Sequence, residues 1–500
     1  GAVLFAALSC AMIWGRKAGL LAAIIASFSA ALLIYTPYTL IETSQSFWIT
    51  LLLFLTLRAF KKGGFLRWGA VGLILSFSIL TRGNSWIFLP GIIAACIWGE
   101  AFRRHEIWKA ALCILLFLLM TVLPQVPFAL RNTVSTGKLC GPSTAAGAVL
   151  ALGNTPEAPP GGRNPGTGPG PMEYPPTYKI WMDNEAQESI PHRIIAWAKE
   201  EPLAFAELTF RKALLFWDRH EIPNNIAFEY NGAKSPVWKA LGIIPTGFIV
   251  VLALACMMAA SKRILRQPKF AILCYFVLSY WAAMVAFYIL ARFRVPIIPL
   301  LCVLAAGFLH FAVEKFHQRK WRLFLLSIIA PLAIATFISY AAYELYRFGY
   351  ESSVMRIARP NGVKVETPKE TMLLDNGPNS FGSWSSIKLD SGAKFIKRFV
   401  IPKGEFKGVR LEISSYWESA GVAVIAVNGQ SKEFHSKGAG LLDLDFNLPM
   451  PANGVFEIEA QRIDGDASLL ADLQRDYGRS SVNGEILHGE LVIRAWMEKQ

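Results

Sequence analysis

The sequence predicts a polytopic α-helical membrane protein that ends in an antiparallel β-sandwich of jelly-roll type, and three observations carry that prediction. Hydrophobic residues make up 53% of the chain and fall in long runs rather than in the scattered pattern of a soluble core. The lysines and arginines between those runs are biased to alternate connections. From about residue 365 the apolar spacing changes to strict alternation, the period of a strand with one buried face.

The runs come in order. The first, GAVLFAALSCAMIW at 1–14, is shorter than the roughly 17 to 25 apolar residues a spanning helix needs. It meets Gly15, Arg16 and Lys17 at once, and it reads as the remainder of a span that starts upstream. Nine more follow near 18–35, 45–60, 65–80, 86–99, 107–129, 238–260, 270–291, 295–313 and 323–345. The expected transmembrane region is therefore 1–346, about ten spans with the first one partial.

Sidedness follows from the short connections. One set holds Arg16 and Lys17; Arg58, Lys61, Lys62 and Arg67; Arg103, Arg104 and Lys109; Lys262, Arg263, Arg266 and Lys269; and Lys315, Arg319, Lys320 and Arg322. The other holds only Arg82, Arg292 and Arg294. Positive charge is retained in the cytoplasm, so the first set faces inward, and the segment 130–237 and the C-terminal region face out. The expected location is a bacterial cytoplasmic membrane, with the long loop and the C-terminal domain periplasmic.

On this reading the net charge of +14 reports topology. No zinc-ligand spacing, basic helix or RNA-binding aromatic motif accompanies it, which excludes nucleic acid as a partner. Six of the seven cysteines sit in apolar runs, and Cys140 alone lies in an outer segment, where it has no disulfide partner.

Within the outer segment, residues 155–176 are dominated by proline and glycine and can hold neither a helix nor a central strand. A plain linker and a flap over a site at the membrane surface are equally compatible with them. Residues 192–221 place Trp197, Phe205, Phe210, Phe216 and Trp217 at helical spacing beside a charged face, the pattern of a helix lying in the interface. After a linker at 347–364, the domain 365–500 shows strands at 394–401, 409–414, 422–430, 455–463 and 490–496, with Asn428 and Gly429 as a tight hairpin turn. With its VNG turn, this layout resembles jelly-roll carbohydrate-binding modules. Trp384, Tyr416 and Trp417 could stack on sugar rings there or fill the sandwich core.

Charges at the outer ends of helices mark the candidate site, because burying a charge near lipid is costly. Glu42 opens the third run, Arg82 ends the fourth, Arg131 and Asn132 follow the sixth, and Arg292 and Arg294 separate the eighth and ninth. Singly, each arginine reads as an anchor on lipid phosphate. Together they favour a binding site on one face.

The segments around these residues, in order, are ALLIYTPYTLIETSQSFWITLLL, ILTRGNSWIFLPG, VPFALRNTVSTGKL with the later ALGNTPEA, LTFRKALLFW and ARFRVPIIPLL. Their order resembles the bacterial polyprenyl-phosphate-sugar-dependent C-type glycosyltransferases, the family of protein O-mannosyltransferases and the lipid A aminoarabinose transferase, over roughly residues 1–315. The resemblance implies an enzyme that moves a sugar from an isoprenoid-phosphate carrier to an acceptor glycan, lipid or protein on the outer face, usually with inversion. It implies a catalytic base in an outer loop upstream of Gly1, and gives Glu42 the second acidic position, to place the acceptor or help hold a divalent metal ion. Arg292 and Arg294 are implied for the donor phosphate, followed by Arg82, Arg131 and Lys212; Asn132 and Asn154 are implied for sugar hydroxyls or for fixing their loops. A polysaccharide polymerase or ligase, and a transporter or flippase of the same lipid, are the competing readings. Internal repeats and midplane charges would favour the transporter, and the sequence shows neither.

Overall fold

The computed structural model describes residues 1–143, 146–156, 158, 176–183, 188–219, 221, 235–261, 266–319, 321–341 and the strand segments between 370 and 498. Among these, four helices are long and apolar enough to cross a membrane: Gly83–Phe102, Ile107–Thr136, Pro268–Val285 and Ala291–His317. Shorter apolar helices are Ala2–Trp14, Phe65–Thr81, Thr246–Ala259 and Leu325–Ala341. The 22-residue helix Ile41–Lys62 packs among them and carries a polar face at its start.

Ala291–His317 is the axis of the bundle. Residues 300–306 are all fully buried, and a helix apolar on every side is stable only when packed on every side. Thr246–Ala259, Arg16–Ser27 and Ala2–Trp14 surround it.

Several predicted runs change form for local reasons. The run at 18–35 breaks into Arg16–Ser27 and Ala30–Tyr35, because the backbone between them pairs elsewhere: Ala30 N–H donates to Ile244 O at 2.9 Å and Ile244 N–H to Phe28 O at 3.0 Å. The run at 107–129 continues as helix to Thr136 and stops at Gly137, whose φ of 67° is the left-handed C-terminal stop that glycine adopts freely. Arg131 and Asn132 therefore stand on a helix, not in a loop. The segment 192–221, expected as one helix, holds two, Ile190–Glu200 and Pro202–Leu215. Pro202 lacks a donor and pushes Glu201 out of the helical region, to φ −127° and ψ 64°. The proline-glycine stretch, apart from residues 155, 156, 158 and 176, and the linker at 347–364 lie outside the described residues.

The C-terminal region is antiparallel throughout. Its seven-stranded sheet runs Glu370–Asp375, Ile493–Glu498, Gly408–Trp417, Ala467–Asp472, Glu490–Leu491, with Trp384–Lys388 and Gly440–Pro449 branching beside Ala467–Asp472 and Gly408–Trp417. The six-stranded sheet runs Glu485–Leu487, Ser480–Val482, Phe395–Val400, Val455–Asp464, Gly421–Val427, Gln430–Ser436. Alternate residues are buried, Val409, Leu411 and Ile413 in one sheet and Ala423, Ile425 and Val427 in the other, as period-two spacing requires. Asn428 and Gly429 both take positive φ, 50° and 81°, forming the tight hairpin between the last two strands of the smaller sheet.

Candidate active site

Glu42 lies in the first turn of Ile41–Lys62, where the positive end of a helix favours a carboxylate. It is only 1% exposed. Around it stand the two cations that the sequence placed on the same face. Arg292 Nε is 3.4 Å from Glu42 Oε1, and Arg82 Nη1 is 3.9 Å from the same oxygen. Both guanidinium groups lie over the ring of Phe293, Arg82 at 4.1 Å and Arg292 at 5.1 Å from its centroid. Neither oxygen of Glu42 accepts a hydrogen bond among the described residues, so the carboxylate is held to the two arginines by charge without hydrogen-bond geometry.

Arg294 faces a different set. It is 2% exposed, donates to the carbonyls of Phe216 and Asp218, and pairs with Glu221 Oε2 at 2.9 Å. Arg292 and Arg294 both sit at the start of the axial helix, the end least favourable to a cation, and the two carboxylates offset that cost. Tyr35 lies within electrostatic reach of Glu42, Glu221, Arg292 and Arg294, which makes the two ion-pair groups one neighbourhood.

The frame around these charges is polar and built from backbone. Ser46 Oγ donates to the carbonyls of Glu42 and Val295, Thr43 Oγ1 to Tyr35 O, and Tyr280 OH to Phe293 O at 2.7 Å. One turn deeper, Gln45 Nε2 donates to Ser78 Oγ and Ser85 Oγ at 3.0 and 2.7 Å, fixing the segment that carries Arg82.

Lys212 and Asn154 form a second station. Lys212 is fully buried; its ammonium donates to Gly153 O and to Asn154 Oδ1, the latter at 2.9 Å. Asn154 in turn donates to Leu150 O and Ala286 O, both at 2.8 Å. Burial pushes the Lys212 amine down to about 7 from its usual 10.5, because removal from water penalises the charged form. Gly153 is required by close approach: a Cβ there would lie 2.1 Å from Phe287 O. The station clamps Pro202–Leu215 to the turn that leads into Arg292.

Arg131 and Asn132 stay apart from both groups. Arg131 is exposed, and Asn132 donates to Gly141 O at 3.0 Å, closing its own turn. Among the described residues no three His, Cys, Asp or Glu side chains come together. Glu42, one carboxylate between two guanidinium groups, does not fit a divalent cation, which needs several oxygen ligands and no adjacent positive charge.

Sequence reasoning missed Glu221, Phe293 and Tyr35. Glu221 follows the apolar LLFW stretch just as Arg82 follows its own run, and the same rule of charges at helix ends points to it. Phe293 lies inside the RFRV segment but carries no charge to set it apart.

No family model and no curated protein matches this chain. Among solved structures, the chain is similar to the oligosaccharyltransferase of Archaeoglobus fulgidus in its apo form, at 13% identity and a TM-score of 0.36. The match covers 72% of this chain and 46% of that one, so the chain spans less than half of the protein it is compared with.

Proposed function

We propose that this protein is a multi-pass membrane glycosyltransferase that moves a sugar from an isoprenoid-phosphate carrier to an acceptor on the extracytoplasmic face of a bacterial cytoplasmic membrane. The observation that carries the reading is the Arg82–Glu42–Arg292 group: two guanidinium ions, partly open to solvent, share one buried carboxylate that accepts no hydrogen bond among the described residues. A phosphate offers more acceptor oxygens than that carboxylate and a geometry that arginine forks match.

In the proposed reaction the acceptor hydroxyl attacks the anomeric carbon, the bond from that carbon to the phosphate oxygen breaks, and the hydroxyl proton passes to a base. Negative charge grows on the departing lipid phosphate, and Arg82 and Arg292 stabilise it where it develops. Arg294 holds the segment that carries Arg292. Glu42, once released from its arginines, orients the acceptor hydroxyl. Asn154 and Lys212 set the turn above the site, while Arg131 and Asn132 take no direct part.

The test is binding of undecaprenyl phosphate to the purified protein in nanodiscs. The Arg82→Gln/Arg292→Gln variant should lose at least tenfold in affinity, about 1.4 kcal/mol, while retaining its helix content. Equal affinity in the two proteins refutes the reading.

A further inference from the structure

The opposite end of Ile41–Lys62 carries a second arrangement that sugar transfer does not use. Glu100 is fully buried in the π-helical turn Ile97–Phe102. Its Oε1 accepts from Trp68 Nε1 at 2.8 Å and from Gly64 N–H at 3.1 Å, and lies 3.5 Å from Arg104 Nη1. Glu106 is taken by Lys109 at 2.8 Å. The nearby acids are therefore engaged, and Arg104 spends its remaining donors on the carbonyls of Gly99 and Phe60.

Three cations from separate segments stand here. Lys61, in the last turn of its helix, is exposed; Arg103, also exposed, lies with its guanidinium 4.9 Å above the Phe60 ring; Lys269, from Pro268–Val285, donates to Met12 O at 2.9 Å. Lys269 is within electrostatic reach of both Lys61 and Arg103. Among the described residues no carboxylate stands within ion-pair distance of any of the three. Retention of positive charge on one side of a membrane does not require cations from three separate segments to converge against their mutual repulsion.

Beside them is an apolar hollow lined by Ala94, Ile97, Trp98 and Phe102. Trp98 meets Phe60 edge-on at 6.4 Å, and Phe60 is the ring beneath Arg103, so the hollow meets the cation group at Arg103. Phe102 is 70% exposed on the same turn.

We propose that this end of the bundle is a binding site for an anionic phospholipid, with its phosphate between Lys61, Arg103 and Lys269 and an acyl chain in the hollow of Ala94, Ile97, Trp98 and Phe102. A phosphate supplies the negative charge that no carboxylate among the described residues gives these three cations, and the hollow supplies the apolar wall an acyl chain needs. A lipid of net negative charge is selected over a zwitterionic one, because the zwitterion brings its own ammonium among three cations.

The experiment measures retention of phosphatidylglycerol against phosphatidylcholine by native mass spectrometry of the purified full chain, with thermal unfolding in each lipid beside it. The wild type should retain phosphatidylglycerol at least fivefold over phosphatidylcholine and unfold later in it. In Lys61→Gln/Arg103→Gln, which leaves the Lys269 to Met12 hydrogen bond intact, the preference should fall to within twofold, with unfolding in phosphatidylcholine unchanged. Ala94→Trp, filling the hollow, should reduce retention of phosphatidylglycerol without altering the cations. An undiminished preference in the double variant, or equal retention of the two lipids by the wild type, overturns the proposal. Neither result touches the outer site.

Discussion

Replacing Glu42 by Gln keeps its shape and removes its charge, taking from Arg82 and Arg292 the carboxylate they share. At 3.4 and 3.9 Å the gross attractions are about 5 and 4 kcal/mol at an effective dielectric near 20. Desolvation of a carboxylate that is 1% exposed and makes no hydrogen bonds cancels much of this. The arginines, 16% and 24% exposed, can relax toward water, and Arg82 keeps its contact with the Phe293 ring. The net loss of stability should therefore fall at the lower end of the range for breaking a buried pair, about 3 kcal/mol. The same change releases both guanidinium groups toward phosphate. Undecaprenyl phosphate, no longer competing with the carboxylate, should bind about tenfold more tightly, equivalent to about 1.4 kcal/mol. The assay is a pair of measurements on one preparation, denaturant-induced unfolding in detergent and titration of the lipid phosphate. Unchanged stability together with weaker binding would refute the account, because it would mean that Glu42 contacts the ligand rather than holding its place.

Two further predictions concern the frame. A Lys212 amine lowered from 10.5 to about 7 amounts to about 5 kcal/mol of native-state destabilisation while the amine is charged in both states. Below pH 7 both states bind the proton and this cost is flat; between pH 7 and 10.5 the unfolded chain binds a proton that the folded one does not, so stability rises with pH. Unfolding midpoints followed from pH 7 to 9 should climb in the wild type and climb less in Lys212→Met; parallel profiles would exclude the buried amine as the cause. Gly153→Ala places a methyl 2.1 Å from Phe287 O and should cost about 2 kcal/mol or more, with the turn before Arg292 shifting to relieve it. A variant as stable as the wild type would show that this turn is free to move.

What the sequence discloses depends on whether a signal is local. Apolar runs, the change to period two and the Asn428–Gly429 turn are properties of neighbouring residues, and each appears in the structure as helix, strand and hairpin. Where the sequence misleads, backbone hydrogen bonds are decided elsewhere in the chain. The break at Phe28 and Ser29 depends on Ile244, more than 200 residues away, and nothing in LLAAIIASFSAALLIY marks it. Pro202, by contrast, is legible as a helix boundary, and only the amphipathic spacing that continues through it disguises the break.

The candidate site divides along the same line. Charges are conspicuous in an apolar sequence, so Glu42, Arg82, Arg292 and Arg294 stand out by residue type alone, whereas their pairing does not. ARFRV presents two arginines two residues apart that look equivalent, and in a strand they would share one face. The segment instead forms a helical turn at the head of the axial helix, which sends Arg292 toward Glu42 and Arg294 toward Glu221 and the carbonyls of Phe216 and Asp218. One arginine is thereby left partly exposed beside a carboxylate without hydrogen bonds, and the other is built into the scaffold. Under the proposed function, the order of preference between them follows from that geometry: Arg292, not the more deeply buried Arg294, is the one placed to exchange a carboxylate for a phosphate.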